Sequence, residues 1–176
     1  MQLSQVERWI LTNQYRIMEI LDSTKARQYA RARKVLESGY ELEYDSISQH
    51  IDRHTLGAEA CREVRNILSM FVALSSSYTA LTDTSGIEEQ DITFRGFDGN
   101  SETAQMGYTR FLVDQKQMFT DLPRGDSFNS HIPLLNTYRR MLREWEQSTY
   151  KYNLTKDDII RITSSGNPKS NLRVIP

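Results

Sequence analysis

Residues 57–81 read GAEACREVRNILSMFVALSSSYTAL. Within them Val64, Ile67, Leu68, Phe71, Leu74, Tyr78 and Leu81 recur at steps of three and four. That period stacks side chains on one face of an α-helix. The stretch therefore predicts a helix from about Gly57 to Leu81, with Ser75, Ser76 and Ser77 near its end. It is the strongest helical signal in the chain and the expected centre of the core.

Toward the N-terminus, Ser4 and Glu7 have the spacing of a capping box, in which each side chain satisfies the other residue's backbone N–H. Leu3, Val6, Ile10, Ile17 and Leu21 follow at helical steps, and Trp9, Met18 and Ile20 widen the stripe. A helix over about 5–21 follows. A second helix, capped by Ser23 or Thr24, carries a thinner apolar face and ends at Gly39, a residue suited to the left-handed position past a helix end. Tyr40 to Tyr44 alternates with a period of two, which suggests a short strand. Ile47 and Ile51 suggest a short helix to about residue 52.

Toward the C-terminus, residues 82–97 break the pattern. Asp98 is placed to cap a helix beginning at Gly99, with Asn100 and Ser101 as rival caps, running to Phe119. Pro133 suits the first turn of the next helix, whose face is Leu134, Leu135, Tyr138, Met141, Leu142 and Trp145. Thr155 opens a short helix to about Thr163, with Asp157 and Asp158 at its positive end. Residues 164–176 have the composition of a low-order tail. No repeat and no interior Pro- or Gly-rich linker divides the chain. The expectation is one all-α, multihelical domain over 1–163, with at most a two-stranded β pair joining 40–44 to 91–95.

Bulk properties narrow the function classes. Lys plus Arg is 22 and Asp plus Glu is 23, a formal charge of −1. That balance gives no global attraction to nucleic acid or to an acidic membrane. Cys61 is the only cysteine, which excludes an intramolecular disulfide and a cysteine-rich zinc site. The first residues hold no basic segment followed by an apolar core, so no secretory leader is expected. The longest apolar run, Met70 to Leu74, falls far short of the ~20 residues that span a bilayer. These features predict a cytoplasmic protein with no membrane partner.

The chemistry is sparse. His50 and His54 are four apart, as helical metal ligands often are, but Gly57 and the Thr55–Leu56 step separate them from Cys61, and no metalloprotease Glu stands between them. No metal and no cofactor is expected. Cys61 with His131 lacks any nucleophile signature. Asp157 with Asp158, and Glu88 with Glu89, read as helix-start and loop charge. Gly96 to Gly99 lacks the spacing and Lys of a phosphate-cradling loop. No catalytic residue is assigned. Two candidate sites remain. Lys25, Arg27, Arg31 and Lys34, with Arg33 beside them, form a compact basic stretch able to track phosphates. The loop Phe94, Gly96, Phe97 and Asp98 is the second, since loops held by rigid helices often carry function. Its plainer use is structural, with the two phenylalanines plugging the core, Gly96 bending the chain and Asp98 capping.

Several segments together resemble the YfbU family of bacterial proteins. They are Leu11-Thr12-Asn13-Gln14-Tyr15 with Leu21-Asp22, Gly39-Tyr40, Thr93-Phe94-Arg95-Gly96-Phe97-Asp98, Gly107-Tyr108-Thr109-Arg110-Phe111, Tyr138-Arg139-Arg140-Met141-Leu142 with Trp145, and Tyr152-Asn153-Leu154. In order and spacing they cover about residues 3–163. The resemblance implies a compact, largely α-helical domain and carries no catalytic residue with it. The aromatic-rich helices, the near-neutral charge and the lack of catalytic spacing lead to the expectation of a non-enzymatic module that forms a homo-oligomer, a dimer or larger, and binds a protein partner. The rival expectation is a nucleic-acid-associated regulator or effector using the basic stretch 25–34.

Overall fold

The computed structural model describes residues 2–49, 51 and 55–166. Among them the regular structure is helical and there is no strand. The chain forms two compact units, Met1–Thr55 and Leu56–Pro176.

The first unit is built on α1 (Gln5–Leu21) and α2 (Ala26–Ser38). The capping box forms as the spacing predicts: the Glu7 N–H donates to Ser4 Oγ at 3.3 Å and the Ser4 N–H to the Glu7 carboxylate at 2.8 Å. The second helix begins one or two residues later than expected, with Lys25 and not Ser23 or Thr24 as N-cap. Asp22 Oδ1 accepts both the N–H and the hydroxyl of Thr24, a turn that uses up Thr24 as a cap and leaves Lys25 at the N-cap without a side-chain bond. Gly39 closes α2 at φ +69°, and the Arg8 guanidinium donates to Leu36 O at 3.2 Å, satisfying a terminal carbonyl. Arg33 lies between Glu19 (2.6 Å) and Glu37 (2.9 Å), which hold its guanidinium firmly protonated. These cross-links, with Tyr29 Oη donating to Asp22 (3.2 Å), run α1 and α2 antiparallel.

The strand expected at Tyr40–Tyr44 is not formed. Glu41–Glu43 is a 3₁₀ turn that runs directly into α3 (Tyr44–Ser48), with the Glu43 N–H bonded to Tyr40 O at 3.0 Å. Five alternating residues are too few to outweigh local turn bonds, and Tyr44 is the side chain that buries. Leu36 and Tyr44 are the buried apolar side chains of this unit among the described residues.

The second unit is organised by α4 (Ala58–Ala80), as the opening stretch predicts. Val64, Ile67, Leu68, Met70, Phe71, Ala73 and Leu74 are all buried on it. It packs against α5 (Glu89–Ile92), α6 (Thr103–Arg110), α7 (Leu135–Glu146) and α8 (Lys156–Gly166). The helix expected from Gly99 starts at Thr103, because Asp98 first closes a turn with Ser101. It does not continue to Phe119 as an α-helix. Phe111–Gln115 is π-helical, with the Lys116 N–H reaching back five residues to Phe111 O at 3.1 Å. Gln117 and Phe119, at φ 53° and 57°, then turn the chain away.

Pro133 precedes α7 by two residues instead of standing in its first turn. Thr155 and Asp158 form a second reciprocal cap, Asp158 N–H to Thr155 Oγ1 at 3.2 Å and Thr155 N–H to Asp158 Oδ2 at 3.1 Å. Helix α8 runs three residues past the expected end at Thr163. Arg140 of α7 donates to Ser165 O (3.1 Å) and Gly166 O (2.9 Å), satisfying its last carbonyls. The rest of the expected tail lies outside the described residues. Among those residues, no helix is long and apolar enough to cross a membrane.

Candidate functional site

The loop 94–98 lies at the heart of the second unit. Phe94 and Phe97 are almost fully buried, and their rings meet each other at 5.6 Å and Tyr138 at 5.7 Å. Phe71 approaches Phe94 (5.4 Å) and Tyr138 (5.0 Å), with edge-on geometry to the latter. The Tyr138 hydroxyl donates to Gly96 O at 3.1 Å and accepts the Arg95 N–H at 3.4 Å. Burial pushes the ionisation of this phenol up, so it stays a neutral hydrogen-bonding group. Gly96 sits at φ +94°, and a Cβ there would lie 2.1 Å from Phe128 O. That closeness lets the Phe97 N–H donate to Phe128 O (2.9 Å) and the Ser130 N–H to Phe97 O (3.1 Å).

Asp98 and Glu102 finish the loop. Asp98 Oδ2 accepts the hydroxyl (2.6 Å) and N–H (2.9 Å) of Ser101. The hydroxyl first, then the backbone donors of Ser101 and Asn100, hold its carboxyl below the usual carboxylate range. Glu102, also buried, takes the N–H groups of Asp98, Leu134 and Leu135. Asn129 Oδ1 accepts the N–H groups of Gly99 (2.9 Å) and His131 (3.1 Å). The contacts described for Phe94, Gly96, Phe97 and Asp98 are thus ring packing in the core and hydrogen bonds that close turns, while Asp98 Oδ1 is buried without a partner among the described residues.

The catalytic candidates are engaged elsewhere. The Cys61 thiol is half-buried and faces Leu56 O at 3.5 Å. His131 has Asp126 Oδ2 2.8 Å from Nε2 and Asn129 Nδ2 3.3 Å from Nδ1. With Nε2 donating and Nδ1 accepting, both ring nitrogens are committed to holding the turn 126–131. His50 and His54 lie outside the described residues. Among those that are described, no group of three or more His, Cys, Asp or Glu is arranged to hold a metal ion.

In the first unit the basic stretch divides. Arg27, Arg31 and Lys34 follow one another at steps of four and three on α2 and are exposed, so they share one face. Lys25 precedes the helix as its N-cap and lines the same groove between α1, α2 and α3 as Arg31. Arg33 is withdrawn into its bridges with Glu19 and Glu37. Arg27, Arg31 and Lys34 thus share one exposed helix face, and Lys25 meets Arg31 at the groove.

A feature that the sequence reading absorbed into the core lies on α1. Arg8, Thr12, Tyr15 and Glu19 mark its side toward α2, through the Arg8–Leu36 and Glu19–Arg33 bonds, the burial of Thr12 and the approach of Tyr15 to Tyr29 at 6.2 Å. The opposite side carries Val6, Trp9, Ile10, Ile17, Ile20 and Leu21, all exposed, Trp9 by 66% and Ile20 by 83%. A solvated face is ordinarily polar. The signal was present in the sequence: an apolar arc too wide for one buried face.

A family model described as the YfbU domain matches residues 1–165 of the 176, which takes in the first unit and the second as far as residue 165, with each of the candidate sites. The chain belongs to the YfbU family.

Proposed function

We propose that this chain is a non-enzymatic interaction module of the cytoplasm that associates with a second copy of itself through the outer face of α1. The observation that carries this reading is the exposed stripe of Val6, Trp9, Ile10, Ile17, Ile20 and Leu21 on a helix whose other side already engages α2. The spacing of the stripe favours a second copy as the occupant. In an isologous contact residue i meets j while j meets i. An antiparallel α1 pair centred between Asn13 and Gln14 sets Val6 against Leu21 and Ile10 against Ile17, apolar on apolar in both directions.

The area fits as well. At the 25 cal/mol/Å² scale, burying side chains of this kind corresponds to about 100 Å² each, hence about 600 Å² per copy. A standard interface takes roughly 800 Å² per partner. Sedimentation at micromolar concentration should give a dimer that persists in molar salt, because apolar contacts are not screened. Trp9→Ala combined with Ile17→Asp should leave a helical monomer. A monomeric parent chain, or an assembly that the double variant does not disturb, overturns the reading.

A second reading rests on the exposed face of Arg27, Arg31 and Lys34, which makes no ion pair among the described residues. It is that of a nucleic-acid-associated regulator. Its mark is an affinity that falls with salt, log K changing by about −0.9 for each phosphate neutralised on duplex DNA. Replacing all three residues with Gln should abolish such binding and leave the dimer intact. No salt-dependent binding by the parent chain removes it.

A further inference from the structure

A groove runs between α1, α2 and α3 on the first unit, with a volume of about 720 Å³. Its apolar lining includes Leu11, Tyr15, Val35 and Ile47, and Lys25 and Arg31 border it. We infer that this groove is a binding site for a small anionic amphiphile, an alkyl or aryl carboxylate whose apolar body lies along α1 and whose head meets Lys25 and Arg31.

Five observations carry it. The volume falls within the ~300–1,000 Å³ of small-molecule sites, which combine an apolar wall with a few placed polar groups. Neither Lys25 nor Arg31 has an acidic partner among the described residues. Elsewhere in the same unit Arg16 and Arg33 do, with Glu37 and Glu19 taking them up. The two cations stand six residues apart, about 9 Å along the helix axis, within reach of one head group from flexible stems. The N-terminus of α2, which has no side-chain cap, adds positive potential beside Lys25. Among the described residues Glu43 is the one carboxylate lining the groove, so their local balance is positive and selects an anion over a cation.

The groove lies on the α2 side of α1, although Gln14 and Met18 also line it. Leu11 and Tyr15 point to the α2 side, away from Trp9 and Ile17. The test is titration calorimetry with decanoate, decanol and decyltrimethylammonium as three probes of one chain length. Decanoate should bind one per chain, at least tenfold tighter than decanol, with no binding of the cationic probe. Lys25→Gln with Arg31→Gln should bring decanoate down to the level of decanol while helicity is unchanged. Ala32→Trp, which fills the groove, should remove binding of both. Equal binding of all three probes, retention of decanoate affinity in the Lys25/Arg31 variant, or no binding at all overturns the inference. Repeating the titration on the Trp9/Ile17 variant keeps the outcome separate from dimerisation, since the groove should bind in that background too.

Discussion

Glu102 Oε1 accepts the backbone N–H of Leu135 at 2.7 Å, across 33 residues of sequence. The other oxygen takes the N–H groups of Leu134 at 3.2 Å and Asp98 at 3.0 Å. One buried carboxylate therefore satisfies the first turn of α7 and, at the same moment, the turn that leads into α6. Its charge lies at the positive end of α7, where the helix dipole stabilises it.

Replacing Glu102 with Gln preserves shape but turns one acceptor oxygen into an NH₂ group facing a backbone donor. A buried donor left without an acceptor costs about 1–3 kcal/mol. Urea unfolding of Glu102→Gln should show a loss of about 2–3 kcal/mol. A loss below ~0.5 kcal/mol would show that the cap is not needed.

Gly96→Ala meets two obstacles together, a φ of +94° and the carbonyl of Phe128 at 2.1 Å from the new Cβ. Because the obstructing atom is backbone, the loop itself must move, which uncouples Phe97 from residues 128–130. A destabilisation above ~4 kcal/mol is expected, in the range reserved for core disruption. Thermal melting of the variant checks this, and a near-parental midpoint would contradict it.

Asn13 lies at the middle of the proposed self-contact, where a polar residue fixes register at a cost in affinity. Asn13→Leu should therefore tighten the dimer at least tenfold in sedimentation equilibrium. An unchanged constant would place Asn13 outside the contact.

Acid should weaken the second unit through Asp98 and Asp158. The Thr155 hydroxyl, and after it Arg161, lowers the carboxyl of Asp158; the Ser101 hydroxyl lowers that of Asp98. A carboxylate with a depressed folded-state value contributes stability that is complete above its unfolded value. That stability is lost as pH falls from there through the folded one. Both groups start from an ordinary value of 3.8, so the loss belongs below about pH 4. Urea midpoints at pH 6 and pH 3 should differ less in Asp158→Asn than in the parent. An equal drop would exclude Asp158 as a contributor.

What the sequence revealed about the fold was local. Ser4 with Glu7, Gly39 at the end of α2 and the period of 57–81 are each decided within a few residues, and each is formed as expected. The errors share another origin. Asp22 competes for Thr24 and so displaces the start of α2. Arg140 holds the final carbonyls of α8 from another helix, extending it past Thr163. For the candidate loop, the bond of Asp98 to Ser101 was legible because the two are three residues apart, although it closes a turn ahead of α6 and the helix is capped by Glu102. The role of Glu102 was not, because Leu134 and Leu135 approach only once the chain has folded. The exposed face of α1 was visible as composition but could not be separated from core without knowing where α2 packs.

The π-helical segment Phe111–Gln115 has a consequence for how this chain tolerates changes in length. A π turn holds one residue more than an α-helix needs, so removing one residue from it restores α-helical bonding without disturbing what precedes it. The same deletion in α4 would rotate every later side chain by about 100° and turn Leu68, Phe71 and Leu74 out of the core. Single-residue gaps among homologous chains should therefore gather at 111–115 and be excluded from 64–74.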